Sequence, residues 1–196
     1  MKQSEHIFPS AIKGEFIFLD QIIEDDARLI YNWRTSNAGL WLNQPDDYSV
    51  QMQRDWIVSR PNSEMNWMIM TNDHLVPVGM VGIYDVNWRD GVTNVGRLIL
   101  DPKYVHKSTP YGLEALKLTY KYAFEDMGMR KISGTICSAN GKVVSLQAFL
   151  GMTCEGELKR HTLINKEYQS LRIFSLFKED SDRYLAEIDK KLEKFR

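Results

Sequence analysis

Apolar residues recur along the chain with two periods, and the places where one gives way to the other mark its elements. Residues 15–19 (EFIFL) predict a first strand. Residues 24–36 follow with Ala27, Ile30, Tyr31 and Arg34 on one helical face. The run Asn43, Gln44, Pro45, Asp46 and Asp47 breaks the pattern, and Ser49 is placed to cap a second helix that ends before Pro61. Residues 66–71 (NWMIMT) read as a strand that turns at Asn72 and Asp73.

The middle of the chain is plainer. Residues 77–87 and 92–100 predict two long strands joined by a hairpin at Arg89, Asp90 and Gly91. After a short polar loop, Leu113, Leu116, Tyr120, Ala123, Phe124 and Met127 repeat as one face of a helix over 112–127, which Gly128 closes. A strand over 131–137, a short helix over 140–150 ending at Gly151, and strands over 152–164 and 168–177 complete the run. Leu185, Ile188, Leu192 and Phe195 then form an apolar stripe on a charged terminal helix. Antiparallel hairpins with one crossover predict an α/β (α+β) fold: a mixed, mostly antiparallel central sheet with helices on both faces. The expected organisation is one domain over 1–178, with an amphipathic helix over 179–196 packed on it or at an interface.

Composition narrows the function. The chain has 196 residues, 43% of them apolar, and balances 25 Lys and Arg against 26 Asp and Glu. That balance offers no basic field for nucleic acid and no polybasic patch for a membrane. No apolar run is long enough to span a bilayer, and the N-terminal residues lack a signal-peptide core. Cys137 and Cys154 have neither metal-ligand spacing nor disulfide density, so a reduced, cytoplasmic protein without a metal is expected.

The segment with chemical content is LILDPKYVHKSTPYGLE, residues 98–114. A strand ends, a loop follows and a long helix starts, whose first N–H groups and positive dipole end suit a phosphate. Lys107 stands beside those donors. The order of pieces around it, namely the hairpin, LILDPKY, GLEALKLTYKYAFEDMGMRKI and SANGKVVSLQAFLGMTCEG, resembles the core of the GNAT acyltransferases over about residues 77–177. That resemblance implies N-acetylation of an amine by acetyl-CoA. It puts Leu98, Ile99 and Leu100 along the pantetheine arm, with a backbone N–H there as oxyanion donor. Lys107, Ser108, Thr109, Tyr111 and Gly112 fall at the pyrophosphate, and Asn140 and Lys142 in the Asn–helix–Gly element.

The chain departs from the family pattern in three ways. Ser108 and Pro110 stand where glycines are common, and Pro110 removes one N–H donor. Gln147 occupies the place of a thiolate-protonating Tyr and donates a hydrogen bond without giving up a proton. Asn94 occupies the place of a Glu base, where it would order a water. These losses imply an enzyme that mainly orients its reactants, with Tyr84, Asp85 or His161 as the proton's exit. At the end of the first helix, Arg34 is placed to clamp a phosphate while Trp33 stacks on a base or sugar, as in the bacterial amino-sugar N-acetyltransferases the segment resembles. The alternative is that Trp33 is core and Arg34 caps carbonyls. His161 lies on a strand similar to that branch and to the ribosomal-protein acetyltransferases. The expected acceptor is a small amine, favoured as a nucleotide-linked amino sugar. A protein N-terminus or a non-catalytic acyl-CoA-binding module are the alternatives, and the chain is expected as monomer or homodimer.

Overall fold

The structure, a computed structural model, describes residues 9–61, 63–105 and 109–196. In chain order come β1 (Ala11–Lys13), β2 (Ile17–Gln21), α1 (Ala27–Arg34), α2 (Val50–Ser59), β3 (Met65–Thr71), β4 (Pro77–Asn87) and β5 (Val92–Leu100). Then follow α3 (Pro102–Val105), α4 (Tyr111–Lys121), β6 (Lys131–Cys137), α5 (Gly141–Leu150), β7 (Thr153–Ile164), β8 (Glu167–Phe177) and α6 (Ser181–Leu192). The expected mixed sheet is present, eight strands in the order β1-β2-β3-β4-β5-β6-β8-β7.

Local chemistry sets the ends of these elements. The Ser49 hydroxyl accepts from the Met52 N–H at 3.2 Å and starts α2. Gly128 (φ +68°) and Gly151 (φ +101°) take the left-handed conformation after α4 and α5, where a side chain would be strained. Before Gly128, α4 widens into a π turn over Tyr122–Asp126. The first strand begins two residues later than its pattern suggests. The N–H groups of Glu15, Phe16 and Ile17 are taken by the buried carboxylate of Glu114, at 2.6, 2.8 and 3.0 Å, instead of by a neighbouring strand. β1 has only three residues, too few to show a period.

Alternation through the central strands feeds two cores. On one face Trp67, Ile69, Val81 and Ile83 join Tyr120 and Phe124 of the α4 segment and Tyr184, Ile188 and Leu192 of α6. On the other, Met68, Met80 and Ile99 meet Ala27, Ile30 and Trp33 of α1 and Ile57 of α2. The central strands therefore read as nearly unbroken apolar runs.

All neighbours in the sheet are antiparallel except β5 and β6, which run parallel across the α4 crossover. That pair is joined at three positions only: Val92 with Lys131, Thr93 with Ile132 and Asn94 with Ser133. β5 continues to Leu100 and β6 to Cys137 with no pairing between them. Where they part, β5 also carries an extra residue against β4. The register passes from Met80–Ile99 to Gly82–Gly96, and Arg97 sits in the bulge at φ +54°.

Candidate active site

The parting strands open a cleft of about 640 Å³, walled by Val95, Gly96, Arg97 and Leu98 on one side and by Gly134 to Cys137 on the other. Tyr84, from β4, reaches over the bulge. A Cβ on Gly96 would lie 2.9 Å from its hydroxyl, so the glycine makes room for it. The Arg97 guanidinium stacks on the Tyr84 ring at 4.2 Å and donates to Glu64 at 2.6 Å and Asn66 at 3.1 Å. Burial pushes the Tyr84 phenol up from its ordinary range, which keeps it protonated.

Strand alternation distributes the residues expected along a donor. Leu98 faces the cleft, Ile99 turns into the α1–α2 core, and Leu100 packs beneath Gly112. Pro110 is the N-cap of α4, whose first internal bond runs from the Glu114 N–H to the Pro110 carbonyl at 2.9 Å. The N–H groups of Tyr111, Gly112 and Leu113 therefore lack partners inside the helix. Tyr111 stacks edge-on against Tyr104 at 5.6 Å, and Thr109 is half-buried just before the helix. Lys107 and Ser108 lie outside the described residues. Asn140 lines the cleft immediately before α5, while Lys142 is exposed and does not.

Gln147 lines the cleft and is buried. Its side-chain oxygen accepts from the Tyr184 hydroxyl at 2.8 Å, and Tyr184 stacks on Tyr120 with centroids 4.9 Å apart. Desolvation raises both phenols, so both keep their protons. Gln147 is thus held as a structural acceptor. We expect Gln147→Ala to lower turnover less than tenfold, while costing about 1–3 kcal/mol by leaving the Tyr184 hydroxyl unpaired. Steady-state kinetics beside a urea titration checks both. A turnover loss above about a thousandfold, roughly 4 kcal/mol, with acetyl-CoA affinity intact would make Gln147 a participant in the chemistry.

Two expected site residues are not where the chemistry needs them. Asn94 sits opposite Ser133, where β5 and β6 are still paired, and its amide donates to Asp85 at 2.8 Å. Neither Asn94 nor Asp85 lines the cleft. Trp33 is 2% exposed, in the core beneath α1, with its indole N–H on Asp101 at 3.0 Å. It is unavailable to stack on a ligand, and instead pins α1 to the end of β5.

Arg34 behaves differently from its neighbour. The carbonyls of Tyr31, Asn32 and Trp33 are taken by the Thr35 and Ser36 hydroxyls, so Arg34 does not cap its helix. Its guanidinium lies over the Tyr48 ring at 5.4 Å, and its Nε is buried without a partner. Among the described residues the guanidinium has neither a hydrogen bond nor an ion pair. Burial, with Arg97 nearby, lowers its pKa from the ordinary range. Arg34 lines the cleft, and His161 from β7 lines it too, at an exposed position.

Arg97, Tyr120 and Tyr184 were not singled out by pattern. Arg97 reads as one polar position in an alternating strand, since a bulge has no signature there. Tyr120 reads only as core. Tyr184 falls beside a stripe whose expected members were Leu185, Ile188, Leu192 and Phe195.

Residues 17–153 match the model of a GNAT acetyltransferase domain. An SPbeta prophage-derived uncharacterized N-acetyltransferase of Bacillus subtilis (strain 168), YokL, is 20% identical over 133 residues, 67% of this chain and 73% of that protein. The fold is similar to a spermidine N-acetyltransferase from Vibrio cholerae solved with CoA and spermine: TM-score 0.75, 19% identity, 88% of this chain and 99% of that one. It is also similar to a ribosomal-protein-S5-alanine acetyltransferase from Vibrio fischeri: TM-score 0.71, 19% identity, 87% of this chain and 97% of that one.

Proposed function

Since the chain belongs to the GNAT acetyltransferase family, and is therefore an acetyl-CoA-dependent N-acetyltransferase, we propose that its acceptor is the primary amine of an anionic small molecule, a nucleotide-linked amino sugar. The observation that carries the acceptor class is Arg34. A guanidinium largely withdrawn from water, with no carboxylate beside it, is costly until an anion arrives. A phosphate or carboxylate of the acceptor supplies that anion, and the planar fork suits it bidentately. A polyamine would meet the cations of Arg34 and Arg97, of which only Arg97 is paired with a carboxylate, Glu64, among the described residues.

The residues present fit the acyl donor. The N–H groups of Tyr111, Gly112 and Leu113, which have no partner inside the helix, suit its pyrophosphate, and the edge of β5 beyond Asn94, not paired with β6, suits its amide-bearing arm. The donor supplies an already activated thioester. The protein's part is then to hold an amine against it, and orientation alone is worth about 7–11 kcal/mol in favourable cases. A backbone N–H at the β5 bulge is the oxyanion donor in this reading. The Tyr84 hydroxyl, kept protonated, orients the amine, and water at the His161 rim takes the proton away. Asn94 has no part in this.

The reading is tested by thiol release from acetyl-CoA with a panel of amines: a 4-amino sugar nucleotide, spermidine and an N-terminal peptide. Release with the first alone is expected. Release with none would make the protein an acyl-CoA binder. Arg34→Lys should raise the acceptor KM about 10- to 100-fold, because the charge stays but the fork is lost. Turnover at saturation and acetyl-CoA affinity should hardly move.

A further inference from the structure

A second chamber of about 630 Å³ lies beside the cleft, between residues 34–46 and the tip of the β7–β8 hairpin at 163–166. Arg34 belongs to the walls of both, together with Leu42, Asn43 and Ile164. The chamber is a built feature rather than a loose gap between loops. The Gln44 amide donates to the Arg34 carbonyl at 2.5 Å and closes the 34–46 segment on itself. Gly39 packs on that same carbonyl so closely that no side chain fits. Across from it, Asn165 (φ +51°) and Lys166 (φ +65°) form a two-residue turn between the paired Ile164 and Glu167.

A small amine needs only the cleft, and would leave the second chamber with its shared arginine unexplained. The chamber's own lining is specific in kind. Asn37, Asn43, Gln44 and Asn165 carry amide side chains, which both donate and accept. Leu40 and Pro45 give apolar surface, and Lys166 adds a second cation against the single carboxylate of Asp46. Cations at a junction, with amides and apolar patches beyond it, fit a phosphate linkage followed by a base and ribose.

We infer that the acceptor is a molecule in two parts: its amine-bearing half enters the cleft, its phosphates sit at Arg34, and a nucleoside occupies the second chamber. The inference rests on the amino-sugar-nucleotide reading above and deepens it by giving the distal half a place. Leu40, Asn165 and Lys166 then select the acceptor without touching the reacting atoms.

The test uses the full chain saturated with CoA and needs no turnover. Calorimetry with the diphosphates of uridine, cytidine, guanosine and adenosine should find at least one that binds. Leu40→Trp, which fills the chamber, and Lys166→Glu should each weaken that binding at least about tenfold. Acetyl-CoA affinity and the melting temperature of both variants should stay as in the parent. Binding by none of the four, or binding that both variants leave unchanged, would overturn the inference. Turnover tells its failure from that of the parent reading. An amino sugar nucleotide acetylated equally well by Leu40→Trp keeps the acceptor and removes the chamber. A nucleotide held in the chamber, with no amino sugar nucleotide acetylated, keeps the chamber and removes the acceptor.

Discussion

Gly112→Asp is expected to abolish acetyl-CoA binding while the protein stays folded. Gly112 is the second residue of α4, and its N–H is one of three with no partner inside the helix. An aspartate there puts a carboxylate where the donor's phosphates need those N–H groups. The loss should exceed about a thousandfold in Kd, roughly 4 kcal/mol. The fold has reason to tolerate the change. Among the described residues, a Cβ at Gly112 meets only the Leu100 side chain, at 3.3 Å from Cδ1, and the position does not need a positive φ. A negative charge in the first turn also favours the helix itself. Calorimetry beside a thermal melt separates the two effects. Unchanged affinity in a folded variant would place the pyrophosphate elsewhere.

Glu114→Ala should be the most damaging single change to stability. Glu114 is 3% exposed, and its carboxylate accepts from three consecutive backbone N–H groups where the chain turns into β2. Bonds to a charged acceptor are worth about 1.5–3 kcal/mol each, and buried donors left unmade add to the cost. Three acting as a unit do not sum, so about 3–5 kcal/mol is expected from urea titration. For a chain of this size that is a fall of about 10 °C in Tm. Glu114→Gln keeps one oxygen as an acceptor and should fall between. A cost under about 1 kcal/mol for the alanine variant would mean that the N-terminal hairpin holds without this tie. Gly14 belongs to the same joint, since a side chain there would run into the Glu114 carboxylate at 2.8 Å.

Much of this architecture was legible before any coordinates. β4, β5 and β6 begin and end where alternation and turn residues put them, because each is long and carries its own period. α2 starts at its serine cap for the same local reason. What escaped notice is set by distant partners. The onset of β2 depends on Glu114, about a hundred residues away, and β1 exists only as a partner for β2. The site was legible in outline and less so in detail. The start of α4 followed from order and spacing, whereas which polar residues face the cleft depends on strand pairing. Asn94 and Arg97 look alike in sequence as polar residues on one strand. One lies where β6 is still attached, the other on a bulge where it has gone. Trp33 and Arg34 are adjacent in sequence, yet the helix sends one to the core and the other to a wall shared by two cavities.

The gap between β5 and β6 has a thermodynamic consequence. Beyond Asn94 and Ser133 the sheet does without the β5–β6 bonds that a continuous ladder would have, which leaves that edge of β5 open to a ligand. A ligand arm lying in that gap takes the role of the missing strand, so its binding is coupled to folding by mass action. At a hundred times its Kd, such a ligand adds about 2.7 kcal/mol to the stability of the folded state. On the placement proposed for the donor, acetyl-CoA is in effect part of the sheet, and only the release of CoA returns the protein to its less stable form.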